Sequence, residues 1–561
     1  MKYIFILCTV FFAIVSCKEL DLSPKDAVND EVYWKTADDF KKGANLLYYS
    51  LDVFPAYDAS GYWDVQSDIA FNSNNTISNG TYQPVEKSTE WSDPYVYIRR
   101  CNNIIEKAMN SGLNDQIKQY VGEAKFFRAY NYWKLLRLYG GVPLITKVLD
   151  INSPELYSKR ATKKEIVDFI LQDLKDASDN LLLRSELSSE DIGRVTKGAA
   201  QSLMARVALF EGTWNKYHQT GEYTEYLDLA VSASTAVIVS GEYDLYAEKG
   251  EDSYRYLFIE EGDDSKECIL DRRYQKDIEG QLFPALIQRI GYVATKKLAD
   301  MYLCIDGLPI DKSRLFQGYA SLASEFVDRD PRMSMTIMKP GTVAPYPNYA
   351  DGVGMWPFYP QRIPNTGYIT YKYISENHYA NSQGESPNFS FDNHIIRYAE
   401  VLLIYAEALF EKNGKIDDED LNKSINVLRH RVGMPDLTNE FIAENGLDML
   451  NEIRRERTIE LAFENFRYDD LRRWKTAEIE LPKDILGIKI KDTEWSEPII
   501  IDGADKNIYA TSDWQKKVNE EGFIIVESHT DRHFDPQKHY WRPIPTKEIL
   551  LNPNLEQNPN W

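Results

Sequence analysis

The sequence is poor in the residue types that build metal and catalytic centres. Its 561 residues include only 7 His and 5 Cys, and the His residues lack the spacing of a ligand set. It has no Walker phosphate loop, Gly-x-Ser-x-Gly elbow, His-Glu-x-x-His pair or EF-hand loop. The acidic run at 502–507 lacks the bidentate Glu of a calcium loop and fits a solvated turn better. We therefore predict no metal, no cofactor and no catalytic residue, although the distant carboxylate pair of a glycosidase would leave no motif.

Disulfide pairing is not expected either. Cys101, Cys268 and Cys304 are the cysteines that follow the N-terminal segment. An odd number at irregular spacing argues against both a disulfide framework and a zinc site. We expect buried free thiols that pack as small apolar residues.

Positive charge is in deficit. Lys and Arg number 65 against 87 Asp and Glu, which gives a formal net charge of −22. So acidic a chain repels phosphate backbones, and nucleic-acid binding is disfavoured. The surplus of acid has a plainer interpretation as well, because a large net charge keeps a protein soluble.

Long apolar runs are absent apart from residues 4–15. Lys2 precedes this run and Ser16-Cys17 follows it, which is the pattern of a signal peptide and is too short to cross a bilayer. The sequence AIVSC is similar to a bacterial lipobox, so we predict that residues 1–17 are a lipoprotein signal and that Cys17 is acylated. A plain secretory signal with an incidental Cys is the alternative.

Helical periodicity extends from about residue 37 to 246. Thr162 and Glu165 form a capping box that predicts the start of a helix. The pattern over residues 196–212 predicts a second helix, whose small residues allow close helix packing. Such pairs resemble tetratricopeptide repeats, without a fixed 34-residue period. From about 263 to 393 Pro and Gly are frequent and the periodicity is lost.

Helical patterning returns over 397–411, 419–431 and 447–474, and the tail contains short strand-like runs, GIKI, PIIID and FIIV. We predict a mainly α fold, an α/α superhelix of tetratricopeptide-like helical pairs with an irregular, loop-rich region and short strands. The predicted divisions are 18–260, the N-terminal helical part, and 261–561, the part with the loop-rich region and the closing helices. In 453–474 acidic and basic side chains are spaced to pair along the helix, which indicates scaffold rather than a catalytic site.

Several segments in order resemble the SusD/RagB-like family of outer-membrane nutrient-binding lipoproteins. They cover nearly the whole chain from Cys17 onward. They are FFRAYNYWKLLRLYGGVPLI (126–145), GRVTKGAAQSLMARVALF (193–210), KLADMYLCIDGLPI (297–310), RDPRMSMTI (329–337), TGYITYKY (366–373), RYAEVLLIYAEAL (397–409), IRRERTIELAFENFRYDDLRRW (453–474) and NPNLEQNPNW (552–561). One departure is Arg542, where the family usually has an apolar residue.

The resemblance implies a surface-exposed, lipid-anchored protein of the outer membrane that is not an enzyme and uses no cofactor. Such a protein captures an oligosaccharide and passes it to a SusC-like TonB-dependent transporter, over which it sits as a lid. Alternatives are a RagB-like peptide-binding partner of such a transporter, a surface glycosidase, and a structural subunit that binds no ligand.

A sugar site needs flat aromatic rings with polar neighbours, usually on loops. Two segments meet this description, one around residues 56–75 that leads on to Trp91, and one over 339–368. For Trp91, burial in a helix with Tyr95 and Ile98 is an alternative because of the helical spacing. The predicted ligand-binding residues are Trp63, Asp68, Asn72, Trp91, Trp356, Tyr359 and Arg362.

Overall fold

The computed structural model describes residues 33–55, 63–288, 292–345, 355–357, 366–375, 389–498, 500–501, 503–505 and 507–561. About half of the chain is helical and the strands are few and short. Within the described ranges, no helix combines the length and the apolar character needed to cross a bilayer.

The helices are distributed over the whole described chain. They are α1 Ala37–Asn45, α2 Thr89–Met109, α3 Lys118–Tyr139, α4 Lys163–Asn180, α5 Lys197–His218, α6 Thr224–Ser240, α7 Ser253–Tyr256, α8 Phe283–Gln288, α9 Lys296–Met301, α10 Pro331–Thr336, α11 Tyr398–Asn413, α12 Asp418–Asn422, α13 Ile425–Arg431, α14 Asn439–Asn445, α15 Met449–Glu460, α16 Arg467–Arg473, α17 Ala477–Glu480, α18 Ser512–Gln515 and α19 Thr546–Leu551.

The helix starts predicted from local sequence are confirmed. The Thr162 hydroxyl accepts from the Glu165 amide at 3.2 Å, and the Glu165 carboxylate accepts from the Thr162 amide at 2.8 Å, which completes the capping box at the start of α4. Thr196 caps α5 in the same way through its hydroxyl. Helix α5 continues past the predicted Gly212 to His218, because Trp214 is buried and extends the packed face.

Consecutive helices pack against each other in chain order. Helix α2 contacts α3, α3 contacts α4, α4 contacts α5, α5 contacts α6, and α6 contacts α11. At Gly212 of α5, a Cβ atom would lie 2.9 Å from the Leu227 side chain of α6, so the glycine lets the two helices approach closely. The predicted mainly α architecture of tetratricopeptide-like pairs is confirmed.

The main hydrophobic core contains residues from both sides of the predicted division at 260/261. It contains Phe127 and Leu203 from the first helices, and Leu402, Leu471 and Tyr540 from the C-terminal half. A second core surrounds the short strands and includes Tyr292 and Tyr368. The C-terminal helices thus complete the N-terminal stack, and the division at 260/261 stays a prediction.

The short strands form small antiparallel sheets, with one of three strands and several of two. The tail runs predicted as strands overlap β8 (Ile485–Lys489), β9 (Ile500–Ile501) and β11 (Phe523–Glu527). The strands are β1 Ala70–Phe71, β2 Cys268–Arg272, β3 Val293–Ala294, β4 Val343–Pro345, β5 Met355–Pro357, β6 Tyr368–Ile369, β7 Asn393–Arg397, β8 Ile485–Lys489, β9 Ile500–Ile501, β10 Ala504–Asp505 and β11 Phe523–Glu527.

The charged side chains of 453–474 correct one expectation. We predicted that they pair along their own helix, but the strongest contacts reach other elements. Glu460 of α15 is fully buried and binds Arg332, Arg397 and Arg431, with N–O distances of 2.5 to 2.9 Å. The apolar stripe of α15 places these carboxylates inside the protein, where a lone charge is costly and each needs a cation. Pairing along one helix does occur between Arg473 and Asp470, both of α16, at 2.8 Å.

Arg542, the departure from the family pattern, is accommodated by polar partners. Its side chain is buried, and its guanidinium donates to Glu90 at 2.6 Å and to Gln66 at 2.5 Å. The Arg542 amide also donates to the Leu138 carbonyl at 2.9 Å. These bonds tie the C-terminal segment to α2 and α3, so an arginine replaces apolar packing with a hydrogen-bonded ion pair.

Candidate functional site

A three-stranded sheet in the order β1-β3-β6 connects the two parts of the chain that were predicted to bind ligand. Its strands alternate in direction, so the chain enters β1 after Asp68, leaves β3 at Thr295 and enters β6 after Gly367, all at one end of the sheet. The Thr295 hydroxyl donates to the Asp68 carbonyl at 2.7 Å and fixes this end. Both predicted ligand-binding segments therefore attach to the same end.

The predicted aromatic residues belong to these two attachments. Trp63 opens the 3-10 helix Trp63–Gln66, which leads directly to Asp68. Residues 358–365, with Tyr359 and Arg362, precede β6 and lie outside the described residues. The backbone of Trp356 belongs to β5, while the side chains of Trp63 and Trp356 also lie outside the described part of the chain. Their roles in binding stay predictions.

Asp68 is committed to an internal ion pair. Both of its carboxylate oxygens accept from the Arg467 guanidinium, each at 2.8 Å, and only 4% of Asp68 is exposed. Burial opposes ionisation of the carboxyl, but Arg467 outweighs it and holds the pKa of Asp68 below its usual value. The pair fixes the wall of the site, so a direct bond from Asp68 to ligand stays a prediction.

A cleft of about 520 Å³ opens at this end of the sheet, and we call it the Asp68 cleft. Helix α9, the end of α17 and strand β8 form its sides. The residues that line it are Asp68, Thr295, Lys296, Lys297, Asp300, Glu480, Pro482, Lys483, Asp484, Ile485, Leu486 and His529.

The charged residues that line the Asp68 cleft are paired with one another or with Arg467. Lys297 binds Glu480 at 3.0 Å, and His529 contacts Asp484 at 2.8 Å. Lys296 pairs with the adjacent Asp300, and its ammonium also lies 4.2 Å from the centroid of the Phe523 ring. The charges that line the cleft are thus balanced once Arg467 is counted with them, which suits an uncharged ligand with hydroxyl groups better than a single ion.

Asn72 lies away from the Asp68 cleft, beyond the other end of β1. It is buried, and its side-chain oxygen accepts from the Asn74 amide at 2.8 Å. This arrangement is a turn in which an Asn side chain bonds the backbone two residues on. The structure therefore does not bring Asn72 together with Asp68, and its role in binding stays a prediction.

Trp91 packs in the main core, as the helical spacing allowed. It is 4% exposed. The centroid of its ring lies 5.0 Å from that of Tyr139, in an edge-on arrangement, and 5.7 Å from that of Tyr95. It also forms part of the wall of a separate groove of about 840 Å³, which includes the exposed Ile151. Trp91 does not line the Asp68 cleft, and its role in binding stays a prediction.

Two buried carboxyls near the sheet have raised pKa values. Burial raises the pKa of Asp64 to about 7, although its oxygens accept from the Asn465 and Arg467 amides. Burial likewise raises the pKa of Glu325 to about 8, and its carboxylate accepts from the Tyr368 hydroxyl of β6 at 2.7 Å. Neither carboxyl lines the Asp68 cleft, so the two do not form an acid and base pair across it.

Several residues of the Asp68 cleft were missed by the sequence analysis. Lys296 and Asp300 are four residues apart on α9, which is the spacing of an ordinary exposed helix face. Glu480, Asp484 and His529 come from distant parts of the tail, and no local pattern connects them. Of these cleft residues, only Lys297 lies in a motif noted in the sequence, the family-like segment 297–310, and that motif did not indicate a binding role.

Comparisons with known proteins agree with this architecture. The model of the SusD family matches residues 287–561, and a model described as starch-binding associating with outer membrane matches residues 55–209. A SusD-like protein of Formosa agariphila, P38, is 27% identical over 503 residues, covering 84% of this chain and 91% of the relative.

Solved structures share the fold. A SusD-like carbohydrate-binding protein from Bacteroides fragilis aligns with a TM-score of 0.75 and 24% identity, over 93% of this chain and all of that one. A laminarin-binding SusD-like protein aligns with a TM-score of 0.60 and 21% identity, over 94% of this chain and all of that one. The two family models together span most of the sequence and its ordered motifs, and the chain belongs to the SusD/RagB-like family.

Proposed function

We propose that the protein binds a glycan at the Asp68 cleft and the adjoining segments, and delivers it unaltered to a SusC-like TonB-dependent transporter of the outer membrane. The observation that carries this proposal is the common attachment of the two aromatic-rich segments beside the cleft. Flat rings pack on the C–H faces of sugars, while polar groups around them bond the hydroxyls. Two relatives with the same fold are described as carbohydrate-binding and laminarin-binding.

The paired charges of the cleft favour an uncharged ligand. A ligand with a net charge would have to compete with Lys297–Glu480 or with the other ion pairs, and breaking a partly buried pair is costly. Sugar hydroxyls can donate and accept at once, so they can join such pairs without displacing either partner.

The proposed place of the protein is the outer face of the outer membrane, with a lipid on Cys17. Several acyl chains are needed for stable attachment, and a lipobox cysteine provides them. Tethering over a transporter would permit weak binding, in the millimolar range or about −4 kcal/mol, because the local concentration of loaded protein is high.

A glycan array with the mature protein, followed by calorimetry, tests the proposal. We expect binding to one class of oligosaccharide and recovery of that oligosaccharide unchanged after prolonged incubation. Binding to peptides and not to glycans would support the RagB-like alternative, and release of shorter sugars would support a glycosidase. Binding to neither class would leave a structural subunit of the transporter.

A further inference from the structure

Three side chains of metal-binding type converge at the β2–β7 pair, remote in sequence from the Asp68 cleft. They are Cys268 and Asp271 of β2 and His394 of β7, and one donor atom from each lies within 4.8 Å of the others. In a regular strand, residues three apart point to opposite faces. Here the register shifts between Cys268 and Asp271, an irregularity of the β-bulge type, and Asp271 is paired across the strands with His394. The Cys268 Sγ atom nevertheless lies 3.4 Å from His394 Nδ1.

The hydrogen bonds of His394 orient its ring as a ligand. Its Nε2 lies 2.8 Å from the Leu257 carbonyl oxygen, which can only accept, so Nε2 carries a hydrogen. The other nitrogen, Nδ1, faces Asp271 Oδ1 at 2.8 Å and Cys268 Sγ at 3.4 Å. Metal-binding histidines commonly donate their second N–H to a backbone carbonyl in this manner.

A carboxylate oxygen and an unprotonated ring nitrogen both carry lone pairs, so Asp271 Oδ1 and His394 Nδ1 at 2.8 Å have either a proton or a metal ion between them. A bound divalent ion would take the place of this proton and would bind Cys268 as the thiolate.

We propose that Cys268, Asp271 and His394 form a binding site for a zinc-like divalent metal ion. A thiolate, an imidazole and a carboxylate suit zinc or cobalt and not calcium or magnesium. Bonds of about 2.0–2.3 Å in a tetrahedral array separate ligand atoms by about 3.3–3.6 Å. The observed 3.4 Å between Sγ and Nδ1 matches this separation, while the contact between Nδ1 and Asp271 would have to lengthen by about 0.5 Å.

The proposed site lies at a junction of the fold. His394 also lines an internal cavity of about 60 Å³, which is large enough for water molecules. The side chains of His394 and Asp271 are 3% and 10% exposed, so the site is almost closed to solvent. The site joins β2 to β7, directly before α11, and its metal would stabilise the junction between the loop-rich region and the helical stack.

Cobalt titration of the full mature chain in the presence of a non-thiol reductant tests the proposal. We expect one cobalt ion per chain, with a thiolate-to-cobalt charge-transfer band and the intense visible bands of tetrahedral coordination. Zinc should displace the cobalt and abolish both. Absence of the charge-transfer band at equimolar cobalt would overturn the proposal and leave His394 as a protonated partner of Asp271.

Assignment of the thiol does not depend on a variant of Cys268. The double variant Cys101→Ser, Cys304→Ser retains Cys268 and should keep the band unchanged, whereas loss of the band would overturn the assignment. In Cys268→Ser and His394→Gln we expect affinity for cobalt to fall about 100-fold or more, with the circular dichroism spectrum and glycan binding of each variant as controls for folding. Unchanged affinity in both folded variants would also contradict the site.

Discussion

Asp68 and Arg467 are 399 positions apart in the chain and join through two parallel hydrogen bonds of 2.8 Å each. The pair ties the wall of the Asp68 cleft to α16, a helix of the scaffold. The same region holds the attachment of both aromatic-rich segments, so the scaffold fixes the framework of the proposed site.

Breaking this pair should destabilise the whole protein. We expect Asp68→Asn to lower the free energy of unfolding by about 3–5 kcal/mol at pH 7, because Arg467 is left buried without its counter-charge. The pKa of Asp68 is below its usual value, so its contribution is present above the ordinary carboxyl range and is lost as pH falls. Urea denaturation at pH 7 and at pH 4 measures both effects.

The exposed pair Lys164–Asp168, with side chains 72% and 52% exposed, is the matched control. Asp168→Asn should change the free energy of unfolding by less than about 0.5 kcal/mol. In a double-mutant cycle, adding Arg467→Met to Asp68→Asn should cost less than the sum of the single changes. Strict additivity would show that the two side chains do not interact.

Glu325 should make the stability of the protein depend on pH. Its pKa is about 8 in the folded state, raised by burial from 4.5, so the folded protein holds a proton that the unfolded chain has released. Stability from this group is therefore complete below pH 4.5 and declines as pH rises toward 8, by at most about 1.4 kcal/mol per pH unit. Glu325→Gln mimics the neutral acid beside Tyr368 and should remove this part of the decline.

Thermal or urea unfolding of the two proteins from pH 5 to pH 8.5 is the measurement. We expect the stability of the Glu325→Gln variant, relative to that of the wild type, to increase as pH rises. Parallel pH profiles would show that Glu325 is ionised in the folded protein at neutral pH.

The ionic strength of the buffer should have little effect on glycan affinity. Because the lining charges of the Asp68 cleft are already paired, we expect a neutral ligand whose Kd changes less than about twofold between low and high salt. Calorimetry at two NaCl concentrations measures this. A steep loss of affinity with salt would indicate a charged ligand instead.

Cys17→Ala should release the protein from the membrane. The variant lacks the acyl acceptor, so it should leave the membrane fraction and fail to incorporate labelled palmitate. Cys304→Ala, which changes a buried free thiol, is the control and should stay lipid-bound. Retention of Cys17→Ala on the membrane would favour another means of attachment.

Local sequence patterns were the reliable guide to the fold. The capping box at Thr162 and the strand-like run in β8 depend on neighbouring residues, so both were predictable. The partners of Glu460 were not, because Arg332 and Arg397 approach it from other elements. For Trp91, the helical spacing with Tyr95 already offered the core packing that the structure has.

The only parts of the site that could be predicted from the sequence were the segments with a distinctive amino-acid composition. Pro, Gly and aromatic residues marked the two loop segments, and the sheet then brought their ends together at Asp68. The remaining residues of the cleft, such as Lys297 and His529, have ordinary sequence surroundings. The three residues near His394 were missed for the same reason, since a strand irregularity and a cross-strand pairing create their proximity.

Calorimetric titration of the preferred oligosaccharide into Trp63→Ala and Trp356→Ala tests the central claim most directly, with the exposed Tyr157→Ala as the matched control. We expect each tryptophan variant to lose affinity by about tenfold, since a stacked aromatic ring contributes about 1 kcal/mol or more. Tyr157→Ala should bind as the wild type does. Wild-type affinity in both tryptophan variants would contradict the proposed site.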